Sequence, residues 1–191
     1  MTVVNGSKME KLYATYKKIE KILGKHIEPF ASVQLVEVYR RYWKPDKVKI
    51  ILLAESHVYT RDDDRRIIIP AIAQLPRYPS QYARFVYCLG YGERGLTKSD
   101  FHPKKRDGTP QFWKIFYSCN NHVSSLNDFS PILGRTSHEQ RVLNKIQLLQ
   151  DLKAKGIWLV DASIAALYKD GGKIPHMFSA LEESWGHTSE M

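Results

Sequence analysis

Three reactive side chains, Glu55, Ser56 and His57, directly follow the apolar run Val48–Ala54 (VKIILLA). A carboxylate in such a place can act as a base or stabilise positive charge as it develops. An imidazole two residues on can meet a phosphate or a reacting group. Ser56 and His57 do not read as a nucleophile and its base. Ala54 and Val58 stand where a nucleophile elbow carries glycine, and adjacent turn residues rarely align for proton transfer. Asp161 ends a second apolar run, Ile157–Val160 (IWLV). A carboxylate at the end of a buried strand needs a partner or a task.

Further candidates lie elsewhere. Phe85 and Tyr87, in the run RFVYCL at 84–89, suit a core or a platform on which a base stacks. His102, Lys104, Lys105 and Arg106 form a basic tract that can meet phosphates. The net charge is +9, from 29 basic and 20 acidic residues, and such a field attracts polyanions. Residues 1–50 hold 11 Lys/Arg against 5 Asp/Glu, whereas residues 151–191 hold 4 against 6. The basic excess therefore lies away from the C-terminal segment. His26, His122, His138, His176 and His187 share no ligand spacing, so no metal is expected, and no cofactor. Cys88 and Cys119 are too few for a disulfide framework, which points to reduced thiols and a cytoplasmic setting. No apolar stretch has the length of a membrane span, and the N-terminus lacks the pattern of a secretory signal.

The elements that must position these groups can be read from periodicity. The 191 residues suit one domain. Leu12, Tyr13, Tyr16, Ile19, Ile22 and Leu23 predict an amphipathic helix over 8–23, ended by Gly24. Ser32 is placed to cap a second helix running to Tyr42. The run 48–54 predicts a central strand covered on both faces. Three prolines make 61–82 irregular, and 84–89 predicts another short strand. A helix is expected over 111–119 between long loops, with Phe112, Trp113 and Phe116 inward. Ser137 and Gln140 have capping-box spacing before a helix with Val142, Leu143, Ile146, Leu149 and Leu152 on one stripe, stopped by Gly156. Strand 157–160 follows, then a last helix after Pro175 carrying Met177, Leu181 and Trp185. The sum is a single three-layer α/β domain with a central short parallel β-sheet flanked by helices. Such sheets bind ligands at the C-terminal strand ends. Strands 48–54 and 157–160 are therefore expected side by side, with Glu55 and Asp161 at one sheet edge.

VKIILLAESHVY at 48–59 resembles the first motif of the uracil-DNA glycosylase superfamily, in which a strand runs into G-Q-D-P-Y-H or G-E-A-P-G. Ala54 takes the glycine place and Glu55 the Gln/Glu place. RFVYCL resembles the short strand whose aromatic stacks on the extruded base. GIWLVDASIAALY at 156–168 resembles G-V-L-L-L-N-A-V-L-T-V, with Asp161 on the base-reading asparagine. The resemblance implies a glycosylase-like domain over 45–191, with 1–44 a helical segment packed on it. It implies a hydrolase of N-glycosidic bonds that flips a base out of DNA, with Glu55 and His57 catalytic and Ser56, Phe85, Tyr87 and Asp161 around the base. Its partner is DNA, in a repair role, and a monomer is expected. A carboxylate at 161 only accepts hydrogen bonds, so the base edge must present N–H groups. His187-Thr188-Ser189 stands where an H-P-S loop is sought but lies only 26 positions after Asp161. The last strand and its loop are thus expected to be missing from the chain. Two alternatives follow: an inactive nucleic-acid-binding module of the same fold, or a Glu/His hydrolase similar to the erythromycin-esterase-like proteins.

Overall fold

The computed structural model describes residues 6–97, 110–134 and 136–188. Of the stripe its spacing predicts, helix α1 (Gly6–Leu23) buries Leu12, Tyr16, Ile19 and Leu23, while Ile22 is half-buried and Tyr13 exposed. A 3-10 turn over Gly24–His26 leads to Pro29, and α2 (Phe30–Tyr42) starts there. Pro29, not Ser32, occupies the cap, since its fixed φ presets the entry and it has no N–H to satisfy. Ser32 lies inside the first turn and donates its hydroxyl to the Thr60 carbonyl at 2.8 Å.

Strands β1 (Ile50–Ala54) and β2 (Ile157–Asp161) pair in parallel, with Ile50 opposite Ile157 and Ala54 opposite Asp161. The protein is thus mixed α/β, with a short two-stranded parallel sheet flanked by helices. β2 is buried along its whole length. β1 is not the covered central strand expected from its composition. It is an edge, with Ile50, Ile51 and Leu53 exposed by 52%, 58% and 56%. The neighbour expected at 84–89 is a series of tight turns instead: Cys88 N–H bonds to Phe85 O, and Tyr91 N–H to Cys88 O. The backbone groups a ladder would use there are taken by side chains. Tyr78 Oη donates to Tyr87 O at 2.7 Å and accepts from Leu89 N–H at 2.6 Å, and Trp43 Nε1 also donates to Tyr87 O. Val86, Tyr87, Cys88 and Leu89 all bury, so this run lacks the inside–outside alternation of a half-covered strand.

A single turn, α3 (Asp62–Arg65), and α4 (Pro110–Ser118) precede α5 (His138–Lys155). On α4, Trp113 and Phe116 are buried and Phe112 is half-buried. Ser137 caps α5 by accepting from Gln140 N–H, as its spacing predicts. Val142, Ile146, Leu149 and Leu152 face the core, whereas Leu143 faces out. Lys145 is buried and reaches the buried Glu93 at 2.6 Å; Arg141 and His138 meet the same carboxylate. Gly156 ends α5 at φ +81. A Cβ there would lie 2.6 Å from the Lys47 carbonyl oxygen, so the helix exit and the approach to β1 are built against each other. Gly156→Ala is expected to cost at least about 1–2 kcal/mol from the left-handed backbone alone. Urea unfolding checks this, and an unchanged midpoint would contradict it.

After β2 come a two-residue hairpin, β3 (Tyr168–Lys169) with β4 (Gly172–Lys173), and then α6 (Met177–Thr188). Met177 is buried and Leu181 half-buried, but Trp185 is exposed. The larger core joins α2, the sheet, residues 82–91, α4 and α5. A second core joins α1 and α6 with Ile164, Leu167 and Ile174. Both cysteines are free thiols; burial raises the pKa of Cys88. Among the described residues no helix is long and apolar enough to cross a membrane.

Candidate functional site

The parallel register sets Ala54 beside Asp161, so the two candidate carboxylates leave the sheet at one end. Their side chains then part. Glu55 is exposed and accepts from Tyr168 Oη at 2.6 Å. Asp161 is buried and belongs to an ion cluster beneath the strand ends.

His57 is the centre of that cluster. Its Nε2 lies 2.6 Å from Glu28 Oε1, and its Nδ1 lies 3.2 Å from Asp161 Oδ2. Arg40 from α2 donates to Asp161 Oδ2 at 2.8 Å and to Glu37 Oε2 at 2.6 Å. Arg41 reaches the other oxygen of Glu37 at 2.5 Å. Glu28 also accepts from the backbone N–H groups of Ala166 and Thr60, at 2.8 and 3.2 Å. Burial opposes a charge on His57, but the Glu28 carboxylate and the hydrogen bonds with Asp161 and Glu28 outweigh it and carry the pKa up to about 9. Burial likewise pushes the Asp161 carboxyl up, while the His57 hydrogen bond and the Arg40 charge hold it below the usual range. His57 is therefore protonated at neutral pH, held between Glu28 and Asp161. Both His57 nitrogens are engaged, so neither is presented to a substrate in this arrangement.

The remaining candidates around a base are also committed to structure. Ser56 Oγ donates to His57 O and accepts from Leu167 N–H. Phe85 is buried, edge-on to Tyr87 at 5.3 Å and under the Arg40 guanidinium at 5.4 Å. Tyr87 stacks on Phe116 at 5.9 Å, and its hydroxyl accepts from Leu159 N–H. Between Ser56, Phe85, Phe112 and Asp161 there is a cleft with about 20 Å³ of free space. That is room for about one water molecule, not for a nucleobase.

A larger cleft of about 190 Å³ opens between α1, α2 and α6. Lys8 and Lys11 from α1, Arg41 from α2, and Lys44 just after it line the cleft, with Glu37, Trp158 and His187. Four cations thus face one carboxylate, whose oxygens are already bound by Arg40 and Arg41. Lys44 Nζ lies 4.7 Å above the Trp158 ring, and burial lowers its pKa. His187 is more than nine-tenths buried, and its Nδ1 has no hydrogen-bond partner among the described residues. Burial lowers its pKa, so it is neutral at pH 7.

The basic tract His102, Lys104, Lys105 and Arg106 lies outside the described residues. Sequence reasoning missed Glu28, Glu37 and Arg40, and it weighed His187 as a metal ligand and as part of a family motif but not as a cleft residue. A signal for two of them was present. Glu37 and Arg40 fall on the same helical stripe as Val33 and Val36, and charge on an apolar stripe marks a buried pair. Comparison with protein-family models, with curated proteins and with solved structures finds no match.

Proposed function

We propose that this protein binds nucleic acid through the basic cleft between α1, α2 and α6. The observation that carries the reading is the convergence of Lys8, Lys11, Arg41 and Lys44 on one cleft that His187 also lines. Phosphates spaced along a strand suit such a cleft, and the overall charge of +9 favours encounter. The domain is taken to be related in fold to the uracil-DNA glycosylases. In support, a parallel strand pair delivers Glu55 and Asp161 to one sheet end. Its strand-end carboxylates serve the interior and the surface, not base excision. The small size of the cleft at Phe85 and the full engagement of His57 and Asp161 support that part.

The test is fluorescence anisotropy with single- and double-stranded oligonucleotides over a range of salt. Wild-type affinity is expected to fall steeply with salt. In Lys8→Ala/Lys11→Ala the log–log slope should shrink by about 0.9 for each duplex phosphate that is no longer neutralised. An unchanged slope in that variant would place the interface elsewhere. Release of free base from oligonucleotides carrying damaged bases would assign a hydrolase instead.

A further inference from the structure

Parallel pairing sends alternate peptide groups of each strand to opposite edges. In β1 the groups of Ile50 and Ala54 turn toward β2, since Ile50 N–H bonds to Gly156 O and Ala162 N–H bonds to Ala54 O. The N–H and C=O of Ile51 and Leu53 therefore point the other way. Among the described residues nothing pairs with them. The opposite edge of the sheet is closed. Leu159 N–H is met by Tyr87 Oη at 2.7 Å, and Thr188 Oγ1 donates to the Asp161 and Ala162 carbonyls at 3.2 and 3.1 Å. One edge is sealed by side chains, and the other is open, apolar and exposed.

The residues along the open edge are self-complementary. Reading from 49 to 55 they are Lys, Ile, Ile, Leu, Leu, Ala, Glu. An antiparallel pairing of two copies centred on Leu52 sets Ile51 opposite Leu53 of the second copy. Those two residues carry the outward peptide groups, so the register matches hydrogen-bonding pairs. The same register brings Lys49 to Glu55 of the second copy, twice by symmetry, just beyond the ladder, since within each copy Lys49 N–H bonds to Gly156 O and Glu55 C=O accepts from Ser163 N–H. Both side chains are exposed and flank the apolar stretch. Opposite charges facing across strands stabilise the pair, and like charges weaken it.

We propose that β1 pairs with β1 of a second copy, making a four-stranded sheet with two-fold symmetry, in place of the monomer expected from the sequence. The interface is isologous and uses the open edge of each copy, so assembly closes at two chains and does not grow into a filament. The proposal is independent of the nucleic-acid reading.

The test is sedimentation equilibrium on four samples: wild type, Lys49→Glu, Glu55→Lys, and an equimolar mixture of the two variants. Wild type is expected to dimerise at micromolar concentration. Each variant sets like charges opposite each other twice and should raise the dimer Kd about tenfold or more. In the mixture, a dimer of one variant with the other has opposite charges at both crossings. The two substituted positions face each other at one crossing, and the unaltered Lys49 and Glu55 face each other at the second, so dimers should return. Circular dichroism of each variant confirms that it folds, which the exposure of both positions favours. A monomeric wild type at ~100 µM, variants that dimerise like wild type, or a mixture no tighter than its components would each overturn the proposal.

Discussion

Asp161→Ala is expected to lower the unfolding free energy by about 3–5 kcal/mol, the usual effect of removing one partner from a buried ion pair. The Asp161 carboxylate is the link between Arg40 and His57, at 2.8 and 3.2 Å. Without it, two buried cations share fewer counter-charges. Glu28 and Glu37 remain, so the loss belongs to one link and not the whole cluster. Asp161→Asn preserves shape and some hydrogen bonding, and should cost less. Urea unfolding of the three proteins gives the ordering, and NMR titration adds a second reading. Loss of the Asp161 charge should bring the His57 pKa down from about 9. Stability and His57 titration both unmoved by Asp161→Ala would mean that the cluster does not hold the strand ends together.

A second large effect concerns pH. The histidine pKa is about 6.5 in an unfolded chain and about 9 in the folded protein. A raised folded value means the native state binds the proton more tightly. The stabilisation is complete below pH 6.5, falls as pH rises toward 9, and is gone above it. Its full size is about 3 kcal/mol. Asp161 acts at the acid end. Its carboxyl is held low, so its contribution is present above about pH 3.9 and fades on acidification. His187 opposes stability below pH 6.5, because burial disfavours its protonated form. Comparing wild type with His57→Gln between pH 6.5 and 8.5 isolates the effect, since His187 and the buried Cys88 thiol are common to both. Wild type should lose stability across that window while the variant stays nearly flat. Parallel curves would show that His57 carries no extra proton in the native state.

Much of the architecture was legible because it rests on local rules. The α1 stripe, the Ser137 cap and the Gly156 stop each depend on residues a few positions apart. The adjacency of β1 and β2 followed from two apolar runs joined through helices. What failed depended on distant partners. The run at 84–89 has strand composition, but Tyr78 and Trp43 take its backbone groups, which no local pattern announces. β1 reads as a covered strand because composition records apolarity and not the presence of a neighbour. At the site, its place at the end of a buried strand marked Asp161 as a carboxylate in need of a partner or a task, whereas His57 was read as a group facing a phosphate or a reacting atom. Position in the chain could not show that their partners are Glu28 and Arg40, contributed by a turn and a helix earlier in the chain. Nor could it separate the exposed Glu55 from the buried Asp161, since both follow apolar runs.

The packing of α1 against α6 sets an order of events during synthesis. Part of what α1 needs emerges at once, because Phe30 lies 4.9 Å from both Tyr13 and Tyr16, and Val33 joins the same core. The rest, Ile164, Leu167, Ile174, Met177 and Ala180, leaves the ribosome only after some 140 to 157 further residues beyond Leu23. At a translation rate of ~5–20 residues per second, that gap is roughly 7–31 s. Through that interval Leu12 and Ile19 have an incomplete set of partners, and β1 waits for β2 over a shorter gap, since β2 begins 103 residues after Ala54. The nascent chain therefore carries a half-covered helix and an unpaired strand until these later segments emerge, and the strand keeps an open edge afterwards.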